Sequence, residues 1–346
     1  MVMKYKNTYI LILLVALFTG CSKSNDAAEN PADRPTNILV TPTVSADNSG
    51  TVTFVVTADN AVNYEFDFGN GFFQNSTSGN VTYKYPVAGV YTVKVTAKSA
   101  VGKVSTKSVQ VNVAAAEALF WADEFDKNGA PDPGKWGYDI GNNNGWGNNE
   151  LEYYTNRNEN VTVSNGTLKI NLKKEDYNGF GYTSGRILTK GKFAFKYGRV
   201  EVRAKLPSGQ GTWPAIWALG SNIDTTPWPA CGEIDIMEHV GKQQNTIFST
   251  LHYPGHYGGG GVGGTTDNPT ASTAFHIYSM EWTPKTMKFA VDGKEFFTFE
   301  NSADKPFNQD FFLILNLAMG GNFGGPAVDP NITGATMEVD YVRVYK

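Results

Sequence analysis

Residues 233–238 read Glu-Ile-Asp-Ile-Met-Glu, three carboxylic acids in six positions of an otherwise apolar run. Along a β-strand side chains alternate faces, so Glu233 and Asp235 share one face while Ile234 and Ile236 take the other. Glu238 is at an odd separation from both and points away, unless one extra residue, Met237, is absorbed as a β-bulge. With that bulge all three acids stand on one wall. Crowded carboxylates raise one another's pKa, which costs stability unless the site uses it. Two acids beside one bond, one attacking and one passing a proton, are the equipment for cutting a glycosidic linkage. A solvated outer face is the competing reading. Against it, the flanks Cys231-Gly232 and His239-Val240-Gly241 lack the Lys, Thr and Ser of a wet surface. A helix would scatter the acids around its circumference.

The elements that position these acids are strands. The 346 residues are 41% hydrophobic and only 18% charged, with 37 Gly and 17 Tyr, a balance that fits an all-β protein with an aromatic cleft. A net charge of −4 argues against a nucleic-acid partner and counts against a polysulfated substrate. The two cysteines, Cys21 and Cys231, offer no disulfide framework, and Cys231 reads as a small buried packing residue.

The N-terminus reads as a targeting segment. Lys4 and Lys6 precede an apolar run from Tyr9 to Phe18 that is too short to span a bilayer. Leu17-Phe18-Thr19-Gly20-Cys21 resembles the bacterial lipobox. That resemblance implies a lipoprotein signal peptide over 1–20, a lipidated Cys21 as first mature residue, and a polar tether over 21–36. It further implies an outer-membrane lipoprotein, facing the cell surface or the periplasm and joined to the membrane by its lipid.

Residues 37–113 alternate with period two between turn signals, as in Thr51–Thr57 and Val90–Thr96. Tyr64-Glu-Phe-Asp-Phe-Gly-Asn-Gly71 resembles the signature of PKD domains, with Phe66 in place of the usual Trp and Asn70 in place of the usual Asp. The resemblance implies a small immunoglobulin-like sandwich. It carries no catalytic constellation and reads as a spacer. Ala114–Ala118 is a link. From 119 to 346 short strands and Gly/Asn/Pro loops follow one another, as expected of a large two-sheet sandwich.

This second unit resembles glycoside hydrolase family 16, laminarinase-like members above all. Around Glu233–Glu238 stand Trp121-Ala-Asp-Glu-Phe125, Gly145-Trp-Gly-Asn-Asn-Glu-Leu-Glu-Tyr-Tyr-Thr155, Ser184-Gly-Arg186, Gly211-Thr-Trp-Pro-Ala-Ile-Trp217 and Met337-Glu-Val-Asp-Tyr-Val-Arg-Val-Tyr345. Each is weak alone; six in order are specific. The resemblance implies a concanavalin-like β jelly roll and a retaining endo-β-1,3-glucanase. It makes Glu233 the nucleophile and Glu238 the acid/base; Asp235, between them on the same face, reads as the residue that orients Glu233 and shares negative charge so that Glu238 stays protonated until needed. Two or more pleats of about 6.8 Å separate the two glutamates on paper, so the strand must bend for them to converge. The resemblance also places Trp146, Asn148, Arg186, Trp213, Trp217 and His252 in the sugar cleft. Trp213 and Trp217, four apart, share a face on a strand. Asn316, between Leu315 and Leu317, faces opposite to them and needs a polar partner, for which a sugar hydroxyl qualifies. Gly255–Gly264 is either a surface loop or a rim over the glucan. Glu124 and Asp340 resemble the carboxylates of a structural calcium site completed by the Gly166 carbonyl, while catalysis needs no cofactor. A monomer is expected. Mixed-linkage β-1,3/1,4-glucan is the alternative substrate, galactan or agarose a weaker one, and a glucan-binding protein without catalysis is the rival of a different class.

Overall fold

The computed structural model describes residues 33–346 apart from 48, 86–87 and 115–117. Cys21, the signal segment and most of the tether lie outside the described residues. Among those residues no helix is long and apolar enough to cross a membrane.

The first unit holds two small sheets. One has three strands, Thr36–Val44, Thr51–Asp59 and Asn80–Lys84, and the other has four, Asn63–Asp67, Phe73–Ser76, Gly89–Lys98 and Val104–Val113. Their inward alternation (Val52, Phe54 and Val56 on one strand, Val93, Val95 and Ala97 on another) makes a core separate from the rest of the chain.

The second unit packs a ten-stranded sheet on a seven-stranded one. The larger sheet centres on Thr167–Tyr177, Gly334–Tyr345 and Gly198–Lys205. The smaller runs, in spatial order, Val262–Asp267, Thr246–His252, Glu233–His239, Thr212–Gly220, Phe311–Met319, Arg186–Leu188 and Gly137–Tyr138. Period-two patterning explains the pairing. Leu313, Leu315 and Leu317 point into the shared core, where they join Val200, Val202, Met337 and Val339 from the opposite sheet. Hairpins close where the turn chemistry allows. At Asn165-Gly166 and Asp292-Gly293 both residues have positive φ (54° and 72°, 50° and 75°), as a two-residue turn between twisted strands requires.

Phe311–Met319 is buried along both faces. Its odd-numbered residues face the core. The even-numbered Phe312, Ile314, Asn316 and Ala318 face the other way, so the seven-stranded sheet has a second, covered surface.

Candidate active site

Register lays the site out in rows across the smaller sheet. Arg186 is opposite Asn316, Asn316 opposite Ala215, Ala215 opposite Glu238, and Glu238 opposite Phe248. In the next row Ile314, Trp217, Asp235 and Thr250 are neighbours, and in the one after it Leu219, Glu233 and His252. Strands far apart in sequence thus deliver these side chains to one face. A cavity of about 670 Å³ lies above them, lined by all three acids together with Trp146, Asn148, Arg186, Trp213, Trp217, His252 and Asn316.

The bulge is present and is what brings Glu238 to that wall. Asp235 pairs with Thr250 and Glu238 with Phe248, so Ile236 and Met237 together face the single residue Ser249. Across the other edge Met237 pairs with Ile216 and Asp235 with Trp217, which makes Ile236, rather than Met237, the residue without a partner. Both bulge side chains enter the core. Buried Ser249 donates its hydroxyl to the Ile236 carbonyl at 2.7 Å, satisfying an acceptor the ladder leaves unpaired.

Around the acids the polar contacts are specific. The Trp213 indole N–H donates to Glu238 Oε1 at 2.9 Å, and Thr250 Oγ1 lies 3.5 Å from Oε2. His252 Nε2 lies 3.2 Å from Asp235 Oδ2 and 3.7 Å from Glu233 Oε1. His252 thus contacts both Asp235 and Glu233, so the imidazole also takes part in holding these two acids together. Burial pushes Glu233 up to about 8, with the Asp235 charge adding to it and His252 opposing. Burial likewise raises Asp235 to about 8. Glu238 also reaches about 8, through burial and then Asp235, against the Trp213 hydrogen bond. Three such acids cannot all be charged together. The site holds protons near neutrality, as a nucleophile and an acid working side by side require.

The sugar-facing groups form a second cluster. The Arg186 guanidinium lies 4.4 Å from the Trp146 ring centroid and 4.9 Å from that of Trp217, and its Nε meets Asp139 Oδ2 at 2.9 Å. Asn316 accepts the Trp217 indole N–H at 2.9 Å and donates to the Tyr154 hydroxyl at 3.0 Å. Its polar partners in this structure are protein groups, and its side chain also lines the cavity where a sugar hydroxyl could meet it. The Gly255–Gly264 stretch forms a rim. Val262–Asp267 is the sheet's edge strand, and a Cβ on Gly261 would come within 2.6 Å of His252. Sequence reasoning missed Trp228, which lines the cavity and meets Tyr257 edge-on at 5.3 Å. Its position five residues before Glu233 was the available signal.

The family model "Glycosyl hydrolases family 16" matches residues 148–343. This chain belongs to that family. A second model, "Beta-glucan synthesis-associated protein SKN1/KRE6/Sbg1", matches residues 52–231. The beta-glucanase of Rhodothermus marinus is 48% identical over 243 residues, covering 66% of this chain and 85% of that protein. Among solved structures, SCLam, a non-specific endo-beta-1,3(4)-glucanase of the same family, superposes with a TM-score of 0.63 at 44% identity, covering 66% of this chain and 91% of its own. A variant of LamA from Z. galactanivorans in complex with laminaritriose and laminaritetraose gives 0.62 at 44% identity, covering 66% and 99%. The family 16 unit is the all-β sandwich, and the protein is a glycoside hydrolase.

The two acids expected at the calcium site each pair with an arginine. Arg343 grips Glu124 through both carboxylate oxygens, at 2.8 Å each, and Arg203 pairs with Asp340. Gly166 sits at a hairpin tip. Glu124 is held by a bidentate guanidinium fork and Asp340 by a single arginine contact, so a calcium ion would have to compete with both pairs. Among the described residues the one cluster of metal-ligating side chains is Glu233, Asp235 and His252, inside the cleft.

Proposed function

We propose that the protein is a retaining endo-β-1,3-glucanase acting on laminarin-type glucans. The observation that carries this reading is the bulged strand, which aims Glu233, Asp235 and Glu238 into one cavity beside the Trp146–Arg186–Trp217 stack. Glu233 attacks the anomeric carbon as Glu238 protonates the departing glycosidic oxygen, leaving a glycosyl-enzyme. Glu238, now ionised, takes a proton from water. The water oxygen attacks the same carbon, releasing Glu233 and restoring the original configuration. The Trp213 indole stabilises the ionised Glu238 of this second step. His252, between Asp235 and Glu233, spreads the charge that builds as the nucleophile leaves.

The laminari-oligosaccharides bound in the LamA complex support the β-1,3 preference. The mixed-linkage reading draws on SCLam, described as cleaving β-1,3(4)-glucan. Product analysis on laminarin, curdlan, mixed-linkage glucan and agarose separates them. Laminari-oligosaccharides released early from laminarin, with little from mixed-linkage glucan, support the proposal, and cleavage confined to mixed-linkage glucan overturns it. Glu233→Gln should abolish turnover while binding persists, and binding without cleavage in the unmodified protein would favour a glucan-binding role. We further propose that Cys21 anchors the chain as an outer-membrane lipoprotein and that the PKD-like first unit spaces the enzyme from the membrane. Mass analysis of the mature N-terminus tests the anchor.

A further inference from the structure

Beneath the sugar-facing cluster lies a second pair of acids that the cleavage chemistry does not use. Glu150 and Glu152 alternate with Leu151 and point the same way as Tyr154; both are buried, Glu152 completely. Glu152 Oε2 accepts the Met319 backbone N–H at 2.6 Å, while its Oε1 is buried with no donor. Glu150, two residues earlier and on the same face, is its nearest charged neighbour in sequence. Glu150 accepts the Tyr154 hydroxyl at 2.8 Å and the Asn148 amide at 3.3 Å. Tyr154 in turn accepts from Asn316, and Asn316 from the Trp217 indole. One chain of hydrogen bonds thus ties the buried pair to three cleft residues. Arg186 is the other charged group near this chain, and Asp139 neutralises it. Two bare carboxylates side by side in a dry site repel, and neither can recover its lost hydration. A proton on Glu152 removes one charge and turns the orphaned Oε1 into a donor. Burial and the neighbouring Glu150 both push Glu152 well upward.

We propose that Glu150 and Glu152 hold one proton between them, carried on Glu152, and that this pair is the positioning device for Asn148, Asn316 and Trp217. The proposal rests on the glucan-hydrolase reading of the cleft. Every donor then runs toward Glu150: Glu152 and Tyr154 through O–H, Asn148 through its amide, Asn316 and Trp217 by way of Tyr154. An ionised terminal acceptor makes these bonds charge-assisted and fixes which end of each asparagine amide is free.

Glu152→Gln is the decisive variant. It donates an N–H where protonated Glu152 donates an O–H, still accepts from Met319, and cannot ionise. Its kcat and KM on laminarin near neutral pH should stay within about twofold of wild type, since each bond is replaced by one of like strength. Any alkaline rise in wild-type KM should be smaller in it, by the part that ionised Glu152 contributes beside the three cleft acids. A protonated-carboxyl C=O stretch in the wild-type infrared spectrum should be missing from the variant. Glu150→Gln removes the terminal charge and should raise KM about tenfold with kcat within about threefold. A wild-type-minus-Glu152→Gln spectrum containing only ionised-carboxylate bands overturns the proposal. Tyr154→Phe cuts the chain above the pair and should raise KM while keeping the infrared band, so a failure of Glu152→Gln to fold leaves a second test; loss of the band there also overturns the proposal. The spectrum needs no turnover. A wild type that shows the band and leaves laminarin intact would sink the glucanase reading and spare the pair.

Discussion

Asp235→Asn should stabilise the protein at alkaline pH and do little in acid. In the unfolded chain an aspartate titrates near about 3.9, whereas burial in the cleft wall pushes Asp235 up to about 8. Between these values the folded state binds more protons than the unfolded one. The stability contribution is therefore fully present below about pH 4 and is lost as pH rises through about 8. Roughly four pH units at about 1.4 kcal/mol each cap the loss at about 6 kcal/mol. Part of that belongs to the neighbours, because Glu233 and Glu238 are raised in turn by the Asp235 charge. Coupled acids release protons jointly, so about 2 kcal/mol is the figure expected from one substitution. For a unit of this size that is about 4–8 °C in Tm. Asparagine keeps the shape and leaves an amide group facing His252 Nε2, 3.2 Å from Asp235 Oδ2 in the wild type. The assay is urea unfolding of wild type and variant at about pH 4.5 and about pH 8. A gain confined to the alkaline condition supports the reasoning. An equal gain at both pH values, or a loss at the alkaline one, refutes the claim that desolvated charge is what the site stores.

Three further outcomes are expected. Trp213→Phe removes the donor that favours ionised Glu238, so the alkaline limb of kcat/KM should move up by about one pH unit, the equivalent of about 1.5 kcal/mol; a limb that stays or moves down contradicts the assignment. Arg186→Lys replaces a planar cation held between Trp146 and Trp217 with a point charge, and KM for laminarin should rise about tenfold, checked by steady-state kinetics with oligosaccharides of graded length. Chelation should leave Tm unchanged and added calcium should not raise it, because Arg343 and Arg203 already serve Glu124 and Asp340; a calcium-dependent Tm would show that these pairs yield to the ion.

Much of the site was legible because its signals are local. Alternation placed Glu233 and Asp235 on one face, the odd spacing of Glu238 demanded a bulge, and the four-residue separation put Trp213 and Trp217 together. What escaped depended on partners distant in sequence. Glu150 and Glu152 sat inside a quoted motif with no assigned task, because their companions Met319, Asn316 and Trp217 come from strands paired only in the fold. The arginine partners of the expected calcium acids escaped for the same reason: nothing near Glu124 or Asp340 in sequence says that Arg343 and Arg203 reach them.

The sequence by itself determined an all-β chain of two units and the acids on which its chemistry turns. Periodicity and turn residues act over a few positions, and a parity argument needs only one strand. The tertiary structure decided that Ile236 is the unpaired residue of the bulge, that His252 bridges Asp235 and Glu233, and that a buried acid pair underlies the cleft. Those outcomes belong to strand register, which pairs Arg186 with Asn316 and Glu233 with His252 by packing two sheets on one core.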